Sequence, residues 1–394
     1  MASATTPAIG APVPRAEGPD KVTGHAHYAA DISLPGMLWG RILRSPYPHA
    51  RIVRIDASRA WNVPGVLGVV TGQDIAGHYF GKVMRDMPVL CWDRVRFVGD
   101  RVAAVAADTV DAAEEALRTI EVEYEELPAV FDPIEAMQPG APLLHDDIRR
   151  YDGGPPQWLA PDIHNGATRL AWTKGDVEQG FREADLVLEH TYRIPSRHQG
   201  YIEPHVSLVD IDDAGRVQVW TSSKAPFRAR IQLAKAVGIA EEDIRVNVVY
   251  VGGDFGGKGD ALDAPIAYFL ARQSGRPVRV LMSYGEELSA SNPTHPTVIT
   301  VRSGVTRDGR IVARRMRTVH ASGAYAALKP NAALSTWHYV GGPYRVENGD
   351  FEFLQIYTNH VPGGYFRAPG GHQFAFALEG HTCLLYTSPS PRDS

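Results

Sequence analysis

Five of the eight residues in Gly252-Gly253-Asp254-Phe255-Gly256-Gly257-Lys258-Gly259 are glycine, and they follow a β-branched run from Val246 to Val251. A strand is expected to end there, because side chains that pack well on a pleated sheet give way to residues with none. Glycine lets a backbone turn through positive φ and approach a ligand closely, with its N–H groups directed at it. Downstream, Asp263 is placed to cap a helix that carries Pro265 in its first turn and stops at Gly275. Strand, glycine loop and helix in that order suit the cradling of an anion or a cofactor. Two other readings compete. Gly252 to Lys258 has the spacing of a phosphate-binding loop, but Gly259 stands where a Ser or Thr should hold magnesium. The second is a glycine turn with a structural role alone.

With 394 residues the chain is long enough for two or three domains with their own cores. Its formal net charge of −5 argues against nucleic acid or an anionic membrane as the main partner. No apolar run is long enough to span a bilayer. Met1-Ala2-Ser3-Ala4-Thr5-Thr6 lacks the basic-then-apolar pattern of a signal peptide. The cysteines, Cys91 and Cys383, are too few for an iron–sulfur cluster or a cysteine-rich zinc site, and a cytoplasmic location is expected.

Along the chain, residues 1–18 read as a flexible arm. Residues 19–133 mix α and β, with strands at Arg51 to Ile55 and Val66 to Val70 and a turn or bulge at Gly99-Asp100. A helix from Thr109 to Thr119 leads into a strand at Ile120 to Tyr124. Residues 134–168, dense in Pro, Gly and Asp, form a connector. A second α+β region spans 169–382. There Val206 to Ile211 and Val217 to Thr221 flank the hairpin signal Asp212-Asp213-Ala214-Gly215, and Pro226 opens a helix through Val237. Thr297 to Val301 and Ile311 to Val319 flank a turn at Asp308-Gly309. Phe374 to Thr382 is helical, with Phe374, Phe376 and Leu378 as core residues. The pattern breaks at Cys383, and residues 383–394 are expected to be non-native. One back-translation of Cys383-Leu384-Leu385-Tyr386-Thr387-Ser388, TGT CTC TTA TAC ACA TCT, resembles a transposase end used in DNA sequencing. A native disordered tail is the alternative.

Several segments carry a resemblance in one common order. Gly18-Pro19-Asp20-Lys21-Val22-Thr23-Gly24, Tyr28-Ala29-Ala30-Asp31-Ile32, Arg41-Ile42-Leu43-Arg44-Ser45-Pro46 and Val98-Gly99-Asp100-Arg101-Val102-Ala103 come first. His198-Gln199-Gly200-Tyr201-Ile202-Glu203-Pro204-His205, Phe255-Gly256-Gly257-Lys258 and Tyr365-Phe366-Arg367-Ala368-Pro369-Gly370 follow. Together they resemble the large, molybdopterin-binding subunit of the molybdenum hydroxylases, the xanthine dehydrogenase and aldehyde oxidase family. The resemblance implies an α+β chain: an N-terminal α/β hammerhead domain, then the first part of a molybdopterin-binding domain. It implies hydroxylation of an aldehyde or aromatic N-heterocycle with water as oxygen donor. The cofactor would be molybdopterin with Mo in its cytosine dinucleotide form, with 2Fe-2S and FAD on partner subunits of a hetero-oligomer. In that family the pterin's dithiolene holds the metal, so no Cys or His ligand is required of the protein.

By the same resemblance the cofactor-binding residues are Gln199, Gly253, Phe255, Gly256, Gly257, Arg367 and Ala368. The Gly256 N–H would be aimed at an oxygen ligand of the metal, and Arg367 would shape the pocket. The family's catalytic base, a glutamate, lies in a second cofactor domain that would follow Thr382. No catalytic residue is therefore assigned here, and the polypeptide alone is expected to be inactive. Glu203 has two readings, direct acid–base work or a cap or bridge. His198 and His205 read as solvated or hydrogen-bonded. Three positions depart from family patterns: Ala368 where copper-containing carbon monoxide dehydrogenases carry Cys, Gly259 where purine-oxidising relatives carry Glu, and Lys224 where relatives often have Gln. The alternatives are a reductive aroyl-CoA relative and a non-catalytic assembly protein that lacks the base.

Overall fold

The strands leading to the glycine loop belong to a seven-stranded sheet in a computed structural model that describes residues 9–328 and 341–387. The start of the expected arm and residues 388–394 of the expected tail lie outside the described residues. The strand order is Ile244–Asn247, Val217–Thr221, Val206–Ile211, Val278–Leu281, Leu38–Arg44, Arg101–Ala107, Val66–Thr71. Leu38–Arg44 pairs in parallel with Val278–Leu281, Leu38 opposite Val278 and Gly40 opposite Val280. Regions far apart in sequence thus share one sheet and one apolar core, in which Leu38, Val70 and Leu90 meet Val209, Leu233 and Leu270.

The helix Ala264–Ser274 lies on this sheet with Ala264 to Ala271 all buried, and it ends at Gly275, whose φ of 65° lets its N–H reach Ala271 O. Asp263 does not cap it as expected. Its carboxylate is drawn instead to Arg101 (3.2 Å) and Arg44 (3.6 Å), which reach it from the N-terminal region. The strand before the glycine loop ends at Asn247, short of Val251. Val248 is exposed and Tyr250 makes only an isolated bridge to Tyr28, because no neighbouring strand extends that far.

A five-stranded sheet runs Leu186–Ile194, Thr297–Val305, Ile311–Gly323, Val346–Tyr357, Gly166–Lys174. The helix Gly371–Thr387 packs on it through Phe374, Ala377 and Leu378 against Ile299 and Val301. Phe376, expected in the core, is 60% exposed, since two residues along a helix point to opposite sides. The helix also continues past Cys383 to Thr387, with Leu385 still buried, so the expected break there is not seen. The hairpin Val206–Ile211/Val217–Thr221 and the helix Pro226–Val237 fall where their turn and proline signals put them. Thr109 caps Val110–Thr119 by accepting the Ala112 N–H at 3.1 Å. The segment 134–168 is ordered by packing, with Leu144, Ile148 and Tyr151 in the core against the second sheet.

Candidate functional site

The glycine loop turns through positive φ at Gly253 (98°), Phe255 (46°) and Gly256 (120°). A Cβ on Gly256 would lie 2.7 Å from Tyr365 O, and one on Gly257 would lie 2.7 Å from the Tyr201 ring. The glycines therefore allow a second loop, Tyr365 to Gly370, to press against the first. The Arg367 N–H donates to Phe255 O at 2.7 Å, and Ala368 also takes a positive φ, 55°. Gln199 pins the pair from below: its Nε2 donates to Tyr365 O (2.7 Å) and Asn292 O (2.8 Å). Its buried Oε1 finds no donor among the described residues. Of the seven residues singled out in the sequence, Phe255, Gly256, Arg367 and Ala368 line one cavity. Gly253 and Gly257, in the loop itself, turn toward Tyr201, and Gln199 lies against Gly257 and Tyr365.

Asp254 organises the loop. Its carboxylate accepts the Lys258 N–H at 2.7 Å, the Gly256 N–H at 3.1 Å and Lys224 Nζ at 2.6 Å. The amide expected to face a metal oxygen thus donates here to Asp254. Lys258 points the other way, fully buried, with Nζ 2.7 Å from Glu203 Oε2 and 4.7 Å from the Tyr201 ring centroid. Glu203 Oε2 also accepts the Gly252 N–H at 2.6 Å, so Glu203 is a bridge between the two ends of the loop. Burial pulls the Lys258 ammonium below the usual lysine range, against the opposing hydrogen bond and charge of Glu203.

Deeper still, Glu287 is fully buried and accepts His205 N–H and His205 Nδ1, each at 2.8 Å, and the Tyr201 hydroxyl. Burial alone would raise its carboxyl, but the neighbouring His198, with Nε2 3.6 Å away, and the hydrogen bonds from His205 and Tyr201 outweigh it and hold Glu287 well below the usual carboxylate range. His205 is accordingly a hydrogen-bonded member of this network, while His198 Nδ1 accepts the Gly200 N–H at 3.1 Å and its Nε2 only approaches Glu287. His205 Nε2 lies 3.3 Å from Gly257 O, and Asn292 Nδ2 donates to the same oxygen at 2.8 Å.

Above the loop is a cavity of about 370 Å³. Lys82, Lys224, Arg228 and Arg367 bring four cationic side chains to it. The helix Pro226–Val237 begins at its wall, with Ala225 at the N-cap and no side-chain cap. Lys82 Nζ is 3.0 Å from Asp260 Oδ1 and 4.3 Å from the Tyr365 ring centroid. Such a lining favours a polyanion. Among the described residues no group of three or more His, Cys, Asp and Glu could hold a metal ion by itself. Sequence reasoning missed Lys82, Arg228, Glu287 and the capture of loop amides by Asp254. Only Arg228, in the first turn after Pro226, carried a local signal.

Comparison with known proteins gives this arrangement relatives. Residues 160–382 match the family described as molybdopterin cofactor-binding domain. Residues 23–128 match that described as aldehyde oxidase and xanthine dehydrogenase, a/b hammerhead domain. The chain is 39% identical to a probable xanthine dehydrogenase subunit of Bacillus subtilis, over 93% of this chain and 47% of that protein. It is 33% identical to the nicotinate dehydrogenase large molybdopterin subunit of Eubacterium barkeri, over 93% of this chain and 83% of that one. Among solved structures, CO dehydrogenase from Oligotropha carboxidovorans superposes with a TM-score of 0.87 at 28% identity, covering 95% of this chain and 48% of that chain. Aldehyde oxidoreductase from Desulfovibrio gigas gives 0.85 at 25% identity, covering 96% and 42%. Apart from the nicotinate dehydrogenase subunit, the chain spans about half the length of these relatives. The fold is α+β, a hammerhead domain followed by a molybdopterin-binding domain.

Proposed function

This chain belongs to the molybdenum hydroxylase family, and from that premise we propose that its two converging loops form one wall of a molybdenum–pterin site in a hetero-oligomeric enzyme. The reaction is hydroxylation of an aldehyde or aromatic N-heterocycle with water as oxygen donor. The observation that carries this reading is the cradle the two loops form, a cavity lined by Phe255, Gly256, Arg367 and Ala368 and by the cations Lys82, Lys224 and Arg228, with the buried Oε1 of Gln199 finding no donor among the described residues. A pterin edge is rich in N–H groups that such an oxygen could accept.

When bound, the molybdenum–pterin group supplies the two-electron oxidation of carbon. The protein's part is positioning and electrostatics. Phe255, Gly256, Arg367 and Ala368, which line the cavity, would hold the metal group and border the substrate side, and Gly253 and Gly257 would let the loop close down on Tyr201 beneath it. The methyl of Ala368 cannot ligate copper, which argues against carbon monoxide as substrate. Asp254, the carboxylate on the cavity wall, already accepts from two loop amides and Lys224 and is not free to act as a base. The carboxylate base is therefore assigned to another segment of the enzyme, and the electrons to 2Fe-2S and FAD on partner subunits. The cofactor is taken to be the cytosine dinucleotide form. No helix among the described residues is long and apolar enough to cross a membrane, and a cytoplasmic location completes the reading.

The test is composition. The complex, produced with its partner chains in a host that makes the pterin cofactor, should contain molybdenum and release an equimolar amount of cytidine monophosphate on acid hydrolysis. Gly256→Val should lose both while the chain stays folded. A variant that keeps its full molybdenum content would remove the cradle from the site.

A further inference from the structure

Four of the five glycines in the loop are explained by the chain itself. Gly253 and Gly256 hold φ of 98° and 120°. A Cβ on Gly252 would lie 2.6 Å from Glu203 Cβ, and one on Gly257 would strike the Tyr201 ring at 2.7 Å. Gly259 is different. Its φ is not in the left-handed region, and a Cβ there would meet nothing nearer than Lys82 Nζ at 3.7 Å and Lys224 Cε at 3.8 Å. Both contacts are ordinary, and both are with the far parts of flexible side chains. Backbone and packing would therefore accept a larger residue, and what glycine preserves is the open space above it, which belongs to the cavity.

That space is flanked by positive charge. The Lys82 side chain is 9% exposed and its carboxylate partner among the described residues is Asp260, whose Oδ1 also accepts Gln232 Nε2 at 2.7 Å. Lys224 shares Asp254 with two backbone amides. Arg228 adds a third cation with no ion pair among the described residues. A glutamate at 259 would project between the two lysines and add a negative charge to this space.

We propose that the substrate adds negative charge to this cavity, in which cations outnumber carboxylates: it carries a carboxylate that sits over Gly259 between Lys82 and Lys224. This rests on the hydroxylase reading and narrows it to anionic aldehydes or heterocycles. A phosphate of the cofactor offers the same anion chemistry, and the test separates the two.

Binding is measured by calorimetry on the intact complex with two matched pairs: pyridine-3-carboxylate against pyridine-3-carboxamide, and 4-formylbenzoate against 4-formylbenzamide. The carboxylate of at least one pair should bind roughly ten-fold more tightly than its amide, as charge-assisted contacts to lysine provide. Gly259→Glu and Lys82→Met should each bring that ratio below about two-fold, with molybdenum and nucleotide content unchanged. Gly259→Ala should keep the preference. No carboxylate preference in the parent complex, or one that survives both substitutions, overturns the proposal. Loss of nucleotide from Lys82→Met would assign the cations to the cofactor's phosphate and also overturn it. Absence of molybdenum from the parent complex would defeat the hydroxylase reading separately, because the binding comparison does not require turnover.

Discussion

Charged side chains below the glycine loop and above it are handled in opposite ways. Below, Lys258 is wholly buried and faces Glu203, which also takes the Gly252 N–H, while Glu287 is surrounded by His198, His205 and Tyr201. Above, three of the four cations, Lys224, Arg228 and Arg367, are exposed on a cavity in which cations outnumber carboxylates, and Lys82, paired with Asp260, is the largely buried one. A buried ion costs several kcal/mol unless it is matched, whereas an exposed cation costs little. The lower set is therefore dictated by the fold, and the upper set is free to be chosen by what enters the cavity.

The largest effect should come from breaking the lower set. Lys258→Met removes one partner of a buried pair, leaving Glu203 with only the Gly252 amide, and should cost about 3–5 kcal/mol in urea unfolding of the full chain. Arg367→Met, in the upper set, should stay within about 0.5 kcal/mol. Adding Glu203→Gln to Lys258→Met should restore part of the loss, because the stranded carboxylate is then neutral. Similar losses for Lys258→Met and Arg367→Met would erase the contrast.

Much of the fold was legible because its signals are local. The hairpin about Asp212 to Gly215, the proline-opened helix Pro226–Val237 and the Thr109 cap each depend on residues within a few positions of one another. The parallel pairing of Leu38–Arg44 with Val278–Leu281 was not legible, since nothing in either strand names a partner so far away in sequence. The same blindness hid Lys82, which reaches the cavity from the N-terminal region. It also misplaced the end of the strand before the glycine loop, where β-branched residues continue but their partner strand does not. The site's backbone was readable in the glycines; the polar groups that occupy their amides were not.

An intermediate effect sharpens the contrast within the loop itself. Gly256→Ala forces a Cβ to within 2.7 Å of Tyr365 O at a φ of 120°, and backbone strain of this kind costs about 1–3 kcal/mol. Because Arg367 N–H donates to Phe255 O, the second loop should loosen with it, seen as faster amide exchange across 365–370. Gly259→Ala, in the open space, should leave both stability and exchange within about 0.5 kcal/mol of the parent. If the two alanines behave alike, Gly259 has a structural role and the ligand argument for it weakens.

The smallest expected effect lies where a buried titratable group has been given no counter-charge. On the helix Gly371–Thr387, His381 is fully buried with Nδ1 2.8 Å from Nδ1 of His190 on the strand Leu186–Ile194. Burial, together with the Arg314 guanidinium and the neighbouring His190 ring, pulls His381 down to about 4. Glu287 stays ionised because donors surround it; His381 stays neutral because none of its neighbours is an acid paired to it among the described residues. Its folded pKa lies below the unfolded value of 6.5, so the unfolded chain binds more protons between those limits. The contribution is complete above 6.5 and is lost as pH falls toward 4. Protection of amides in 371–387, corrected for intrinsic exchange, should therefore drop between about pH 7 and pH 5 while the helix Ala264–Ser274 holds. His381→Gln should flatten that dependence, since glutamine can keep a hydrogen bond to His190 without taking up a proton. An equal fall in both helices, or an undiminished fall in the glutamine variant, would place the acid-sensitive group elsewhere.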